Sequence, residues 1–214
     1  MKNSFLKSSL WGVGVVGIKQ YNSESTFLEK VIRYNDRLAP LFIRNSLYSL
    51  IPEGTKHIYV VGIGSNSISG DSLGPFVGTL LRNTFPDHLT VLGNLECPMD
   101  ATTIVPKISG HIFPKNSFVI SIDSVLGSVD FVNSIVLRSG PLQPGLGLGQ
   151  NLPPIGDCSV MGVVLTNEAV LGSALLYTNL HLIYTMATNI AKGISLAVRQ
   201  FFQYPSDHAI LNVI

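Results

Sequence analysis

The sequence predicts an α/β fold, a mostly parallel sheet with helices on both faces. Three observations point to it. Apolar runs at 58–63, 118–122 and 159–165 read as strands, the first continuously apolar apart from Tyr59, as a strand buried on both faces should be. Apolar stripes of helical period alternate with them. Acidic residues follow two of the strands: Asp71 across a glycine- and serine-rich loop, Asp123 directly. In a parallel sheet the strand carboxyl ends converge on one edge, where ligands bind.

The elements follow in order. Residues 24–50 carry Phe27, Val31, Leu38, Phe42, Leu47 and Leu50 in a helical stripe that Pro40 breaks or kinks. Pro52-Glu53-Gly54 signals a turn before the first core strand. A helix is expected over 72–85, with Leu73, Phe76, Val77, Leu80 and Leu81 on one side. A short strand at 91–95, a brief helix at 102–108 and the strand 118–122 come next. A fourth strand at 135–137 leads to a loop rich in proline and glycine, 139–156, too long for a simple connection. The strand 159–165 and one or two helices over 171–202 complete the pattern.

Composition narrows the function. Of 214 residues, 46% are apolar and 13% charged, against about 25% charged in an average globular domain. Such a chain buries a large core and leaves apolar surface for association, including with copies of itself. The net charge is +1 without a basic block, which argues against nucleic-acid binding. The apolar run 10–18 is far shorter than the roughly 20 residues of a membrane helix, and it reads as a flexible or strand-like arm rather than a signal peptide. Cys97 and Cys158 form no CxxC pair and read as reduced thiols. Three parts are expected: an extension (1–55), the α/β domain (56–204) and a tail (205–214).

The chemistry-bearing candidates are acidic. Asp71, in Gly70-Asp71-Ser72, suits either a helix N-cap or a functional carboxylate. Asp123 suits either a structural carboxylate or a catalytic group. Glu96 and Asp100 follow the strand 91–95 as further acidic contributions to the same edge, and Asp157 follows a Pro-Pro-Ile-Gly turn. Gly62 and Gly64 match half of a dinucleotide fingerprint, but position 67 is Ser67, so nucleotide binding is not expected. The histidines His57, His88, His111, His181 and His208 form no HxH or HExxH pattern, and His181 reads as a core histidine. No GxSxG elbow supports a serine hydrolase.

The segments GIGSNSISGDSLGP, IDSVLG and SGPLQPGLGLGQNLPPIGD, with the apolar C-terminal helices, resemble the YyaC-type sporulation proteins, a group related to the bacterial spore germination protease. The resemblance spans 56–202. It implies a three-layer α-β-α sandwich of the phosphorylase/hydrolase-like type, shared with hydrogenase-maturation endopeptidases, and an atypical aspartic endopeptidase mechanism. The two essential aspartates of the germination protease match Asp71 and Asp123. The maturation endopeptidases bind nickel through acidic residues and a histidine. Here no histidine occupies a suitable later position, and Asp100 stands where the YyaC-type group carries one, so no metal or cofactor is assigned. The implied setting is the cytoplasm of a spore-forming cell or its spore, and the implied substrates are peptides or proteins such as small acid-soluble spore proteins.

The expected site therefore has Asp71 and Asp123 as catalytic residues. Gly64, Ser65, Asn66, Gly70, Glu96, Asp100, Pro144, Gly145 and Gly147 line the substrate path. A sporulation protein that binds a peptide or protein without cleaving it, and a metal-dependent maturation-type endopeptidase, are the alternatives.

Overall fold

A computed structural model describes residues 14–15, 29–144, 153–166 and 171–212. Seven strands form one sheet: β1 (Gly14–Val15), β2 (Glu29–Arg33), β3 (His57–Gly62), β4 (Leu89–Leu92), β5 (Ser117–Gly127), β6 (Ser134–Ser139) and β7 (Cys158–Thr166). The path runs β2-β6-β7-β5-β3-β4, with β1 paired to β5. Only the pairings of β6, with β2 and with β7, are antiparallel. The expected mostly parallel α/β sheet is thus present.

The helices are α1 (Ala39–Leu50), α2 (Leu73–Leu81), α3 (Ile104–Ser109), α4 (Leu171–Leu176) and α5 (Leu180–Phe201). They cover both faces. On one face Ile58 and Val60 of β3, Ile120 and Ile122 of β5 and Val160 of β7 pack with α1, α2 and α5. On the other, Val61, Val119, Val125, Met161 and Val163 join Ile104 of α3, Met99, Leu142 and Ile155. The central strands are apolar on both sides because both sides are covered.

Helix α5 shows how pattern becomes packing. Leu182, Ile183, Met186, Ala187, Ile190, Ile194 and Val198 recur at three- and four-residue spacing and are all buried. Asn179 caps its start, its side-chain oxygen accepting from the His181 amide at 2.9 Å. At Gly193 an added Cβ would stand 2.5 Å from Ile43, so this glycine permits the close crossing of α1 and α5.

Several elements differ from the sequence expectation. The 24–50 helix is instead β2 followed by α1. Val31 and Ile32 are β-branched, and β2 is itself the edge strand, pairing along β6 with Ile32 turned into the core. Pro40 does not break α1 but sits in its first turn, where no intrahelical N–H bond is required. The 72–85 helix stops at Leu81, and Asn83 adopts a φ of 61° just beyond it. The 171–202 region holds two helices, α4 and α5, the second of the two expected arrangements. His181 is exposed at the first turn of α5 rather than in the core. β5 runs five residues past the expected end, so Asp123 lies inside a strand and not at its terminus.

Candidate active site

The site begins where β3 ends. Ile63 makes a bridge to Met99, and the Gly64 amide donates to the Met99 carbonyl at 3.0 Å. The chain then loops through 65–68 into a 3₁₀ turn, Ser69–Asp71, and enters α2. The loop closes on itself. Ser65 N–H donates to the Asp71 carbonyl at 2.9 Å, and Asp71 N–H donates to the Ile68 carbonyl at 3.0 Å. Gly64 has a φ of 131°, and a Cβ there would collide with the Asp71 carbonyl oxygen. Only glycine fits this turn. The same Cβ position lies 3.4 Å from Asp71 Oδ1, so the carboxyl group sits against Gly64.

A packing of glycines fixes where this loop stands. A Cβ on Gly62 would meet the Gly74 carbonyl oxygen at 2.5 Å and that of Gly93 at 2.8 Å. Their absence lets the start of α2 lie directly on β3 and the post-β4 turn.

Asp71 does not cap α2. The residue before that helix is Ser72, which makes no side-chain capping bond, and both Asp71 carboxyl oxygens lack a hydrogen-bond partner among the described residues. The group is fully buried, at 0% exposure. Asp123, at 1%, is equally enclosed. Its Oδ1 accepts from the Ser124 amide at 2.7 Å and its Oδ2 has no partner. Strand alternation puts Asp123 on the side of Val119 and Val125, facing the smaller, α3-covered layer.

Asp123 senses the charge of Asp71. Burial pushes the Asp71 pKa well above the ordinary carboxylate range, the Ser65 amide opposes this, and the charge of Asp100 adds to it. Burial does the same to Asp123, with the negative charge of Asp71 as the next cause and the Ser124 amide opposing. Paired carboxyls in a low-dielectric site cannot both ionise readily, so the pair retains a proton above the normal range. Such a pair can both accept and donate a proton.

The remaining expected residues divide into two sets. Near Asp71 lie Gly64, Ser65, Asn66 and Gly70. Asn66 Nδ2 donates to the Leu95 carbonyl at 2.9 Å, tying the loop to the segment after β4, and Ser65 Oγ accepts from the Ser67 amide at 3.1 Å. Gly70 is packed against Leu175 and Thr178, so α4 and the turn after it press on the Asp71 turn. Asp100 and Glu96 are more open. Asp100 Oδ1 accepts from the amides of Thr102 and Thr103, each at 3.0 Å, and from both hydroxyls. Burial acts to raise its pKa, but these four bonds prevail and hold it below the usual value. Glu96 forms an exposed ion pair with Arg82. Pro144 is buried, and Gly145 and Gly147 lie outside the described residues. Asp157 is elsewhere: its carboxylate accepts from the Val119 amide at 2.8 Å, near the start of β5.

Ser124 was not anticipated. Its amide supplies the one hydrogen bond to Asp123, and its own buried hydroxyl is without a partner among the described residues. The available signal was the Asp-Ser pair inside an otherwise apolar strand. Among the described residues no group of three or more His, Cys, Asp or Glu side chains converges as metal ligands. No helix among them is long and apolar enough to cross a membrane.

Comparison with known proteins agrees with the motif reading at the level of family. The family described as "Protein of unknown function (DUF1256)" matches residues 31–193. The "Uncharacterized protein YyaC" of Bacillus subtilis (strain 168) is 36% identical over 174 residues, covering 80% of this chain and 85% of that protein. The match includes β3, the Asp71 loop, β5 and most of α5. With the family pattern running through both aspartate-bearing segments, the chain belongs to the DUF1256 family, together with YyaC-type proteins.

Proposed function

We propose that this protein is an endopeptidase that hydrolyses peptide bonds with the Asp71–Asp123 pair. One observation carries the reading: two fully buried carboxyls, with the charge of Asp71 felt at Asp123 and three of the four oxygens unpartnered among the described residues. Burying polar groups in this way costs stability, and such sites are enriched in function. The resemblance to the germination protease points the same way, toward peptide or small spore-protein substrates in the cytoplasm of a spore-forming cell.

In the reaction, the ionised carboxylate takes a proton from a water molecule as its oxygen adds to the substrate carbonyl carbon. The protonated carboxyl donates to the carbonyl oxygen. Collapse of the tetrahedral diol breaks the C–N bond: one diol hydroxyl returns its proton to the carboxyl that donated it, and the leaving amine takes up the proton first removed from water. One water is consumed per bond, and no oxidant, reductant or cofactor enters. Burial raises both pKa values, which favours retention of the proton that the donating carboxyl needs.

The test is turnover of an unstructured peptide library, followed by mass spectrometry. Wild-type protein should cleave. Asp71→Asn and Asp123→Asn should each lose about 10²–10⁴-fold in rate while keeping the wild-type circular dichroism spectrum. Cleavage retained in both single variants overturns the reading.

A second reading rests on a different observation. Leu176, Tyr177, Leu180 and Tyr184 are exposed at 47%, 84%, 53% and 50%, on the α4–α5 region whose Leu175 and Thr178 pack against Gly70. Contiguous exposed apolar groups mark interaction surfaces. Tight peptide binding without turnover, lost on replacing Tyr177 and Leu180 by Ser, would favour a non-enzymatic binding protein.

A further inference from the structure

Three acids stand in a row where β3 ends. Ile63 N–H, just past β3, donates to the Ile122 carbonyl of β5 at 2.8 Å. On its other side Ile63 bridges to Met99, and Gly64 N–H donates to the Met99 carbonyl at 3.0 Å. The Met99 segment, the chain leaving β3 and β5 therefore lie side by side, each about 4.8 Å from the next. Asp100 follows Met99 and Asp123 follows Ile122. Asp71 belongs to the middle chain, its Oδ1 3.4 Å from where a Gly64 Cβ would stand. It thus has one acid on either side.

The three acids are held differently. Asp100 is half-buried, and its Oδ1 accepts from the Thr102 and Thr103 amides, each at 3.0 Å, and from the Thr102 hydroxyl at 2.6 Å. Donors of this kind favour the ionised form. Both Asp71 oxygens and one Asp123 oxygen have no partner among the described residues. A fixed negative charge beside an enclosed carboxyl makes that carboxyl harder to ionise. Burial is the largest cause of the raised Asp71 pKa, and the Asp100 charge acts in the same direction. Lys107 of α3 donates to the Pro98 carbonyl at 2.9 Å, and its charge opposes that of Asp100. Glu96 is paired with Arg82. Leu175 and Thr178 face the Asp71 turn from the α4 side, and Met161 lies opposite Asp123 on β7, all uncharged. We propose that Asp100 is a positioning residue for the aspartate pair, a fixed negative charge beside Asp71 that keeps one proton on the pair, so that the donating carboxyl is loaded before each turnover. Asp100 moves no proton itself. Its Oδ1 is spent on the turn, and its charge alone acts on the pair. The inference rests on the aspartate-pair reading for its use in catalysis, but not for the interaction between the acids.

The test is a pH titration of the side-chain carboxyl carbons by NMR on the full-length chain, with Asp71→Asn and Asp123→Asn identifying the signals of the pair. Asp100→Asn keeps an oxygen for the threonine amides and removes the charge. It should move the upper titration step of the pair to lower pH by at least about 0.5 unit. The alkaline limb of kcat/KM against pH should move by the same amount, with little change on its acid side. Thr102→Val loses the hydroxyl bond but keeps the charge, and should leave the step in place. In wild type, high salt screens the half-buried Asp100 and should move the step the same way as Asp100→Asn, a measurement that needs no variant to fold. A step that stays put in Asp100→Asn overturns the proposal. So does an equal movement in Thr102→Val, which would assign the effect to the turn rather than the charge. So does a wild-type step that ignores salt. The titration needs no turnover, which separates the two claims. A step that moves in a protein without peptidase activity supports the role of Asp100 and removes the aspartate-pair chemistry. Cleavage by wild type with an unmoved step in Asp100→Asn overturns the role of Asp100 and leaves the pair standing.

Discussion

Asp71 and Asp123 are treated by this fold in the opposite way from Asp100 and Asp157. The first two are buried with almost no hydrogen bonds to their carboxyls. The second two lie in loops and spend their oxygens on backbone amides: Asp100 on Thr102 and Thr103, Asp157 on Val119. A carboxylate satisfied by local amides stabilises its turn and has little capacity left for other work. A carboxyl enclosed without partners destabilises by about 1–3 kcal/mol. The difference separates structural acids from candidate chemical ones better than their sequence contexts do, since all four follow or precede apolar strands.

The strongest way to break the contrast is to move Asp71. Gly64→Ala places a Cβ against the Asp71 carbonyl and forces φ 131° on a residue that disfavours it. The expected loss of stability is on the order of 3 kcal/mol, read by urea unfolding. Gly54→Ala is the matched control, because its φ is 87° but its surroundings are open. That change should cost only about 1 kcal/mol. Equal losses at the two positions would show that the Gly64–Asp71 contact does not hold the loop.

Much of this was legible in the sequence. The long apolar runs of β3, β5 and β7 could belong only to buried strands, and the two aspartates stood out against them. β2 was not legible, because Val31 fits a helical stripe as well as a strand, and its pairing with β6 is a contact between residues about a hundred positions apart. The extra length of β5 was hidden by Asp123 itself, since a charged residue normally ends a buried run. The pinning of the loop by Gly62, Gly74 and Gly93 depends on close approach of backbones, which no local pattern encodes. The distinction between capping and free carboxyls is likewise tertiary. Asp71 precedes a helix and could have capped it, but its carboxyl lies against Gly64 instead.

The next test compares the response of the four acids to pH. A carboxyl whose folded pKa is raised holds its proton more tightly in the native state. Its contribution is most favourable below the unfolded value near 4 and is lost as pH climbs through the raised folded value. Asp71 and Asp123 both behave this way. Wild-type stability should therefore fall from about pH 4 upward through the pair's titration, and Asp123→Asn should flatten this fall by about 1–3 kcal/mol at pH 8. Denaturant midpoints at pH 4, 6 and 8 measure it. An unchanged slope in Asp71→Asn and Asp123→Asn alike would show that neither group is protonated unusually.

Asp100 should move in the other direction. Its folded pKa is lowered, so its contribution is present above the unfolded value and disappears as pH falls through the lowered one. Asp100→Ala removes the acceptor for the turn into α3 and should cost about 1 kcal/mol at pH 7. The cost should vanish in strong acid. A cost that persists below pH 3 would mean that packing rather than charge holds this turn.

Glu96 gives the smallest effect and the finest division. Its ion pair with Arg82 is exposed, with side-chain exposures of 69% and 47% for Glu96 and Arg82. Pairs of this kind contribute about 0–1 kcal/mol and are screened by salt. Glu96→Gln should therefore shift stability by less than about 0.5 kcal/mol, with no shift in high salt. If Glu96 faces the substrate path, the same variant raises KM for basic peptides and leaves kcat unchanged, the pattern of lost binding without lost chemistry. A fall in kcat instead would make Glu96 part of the proton-handling group, and the division between buried acids that react and exposed acids that position would no longer hold.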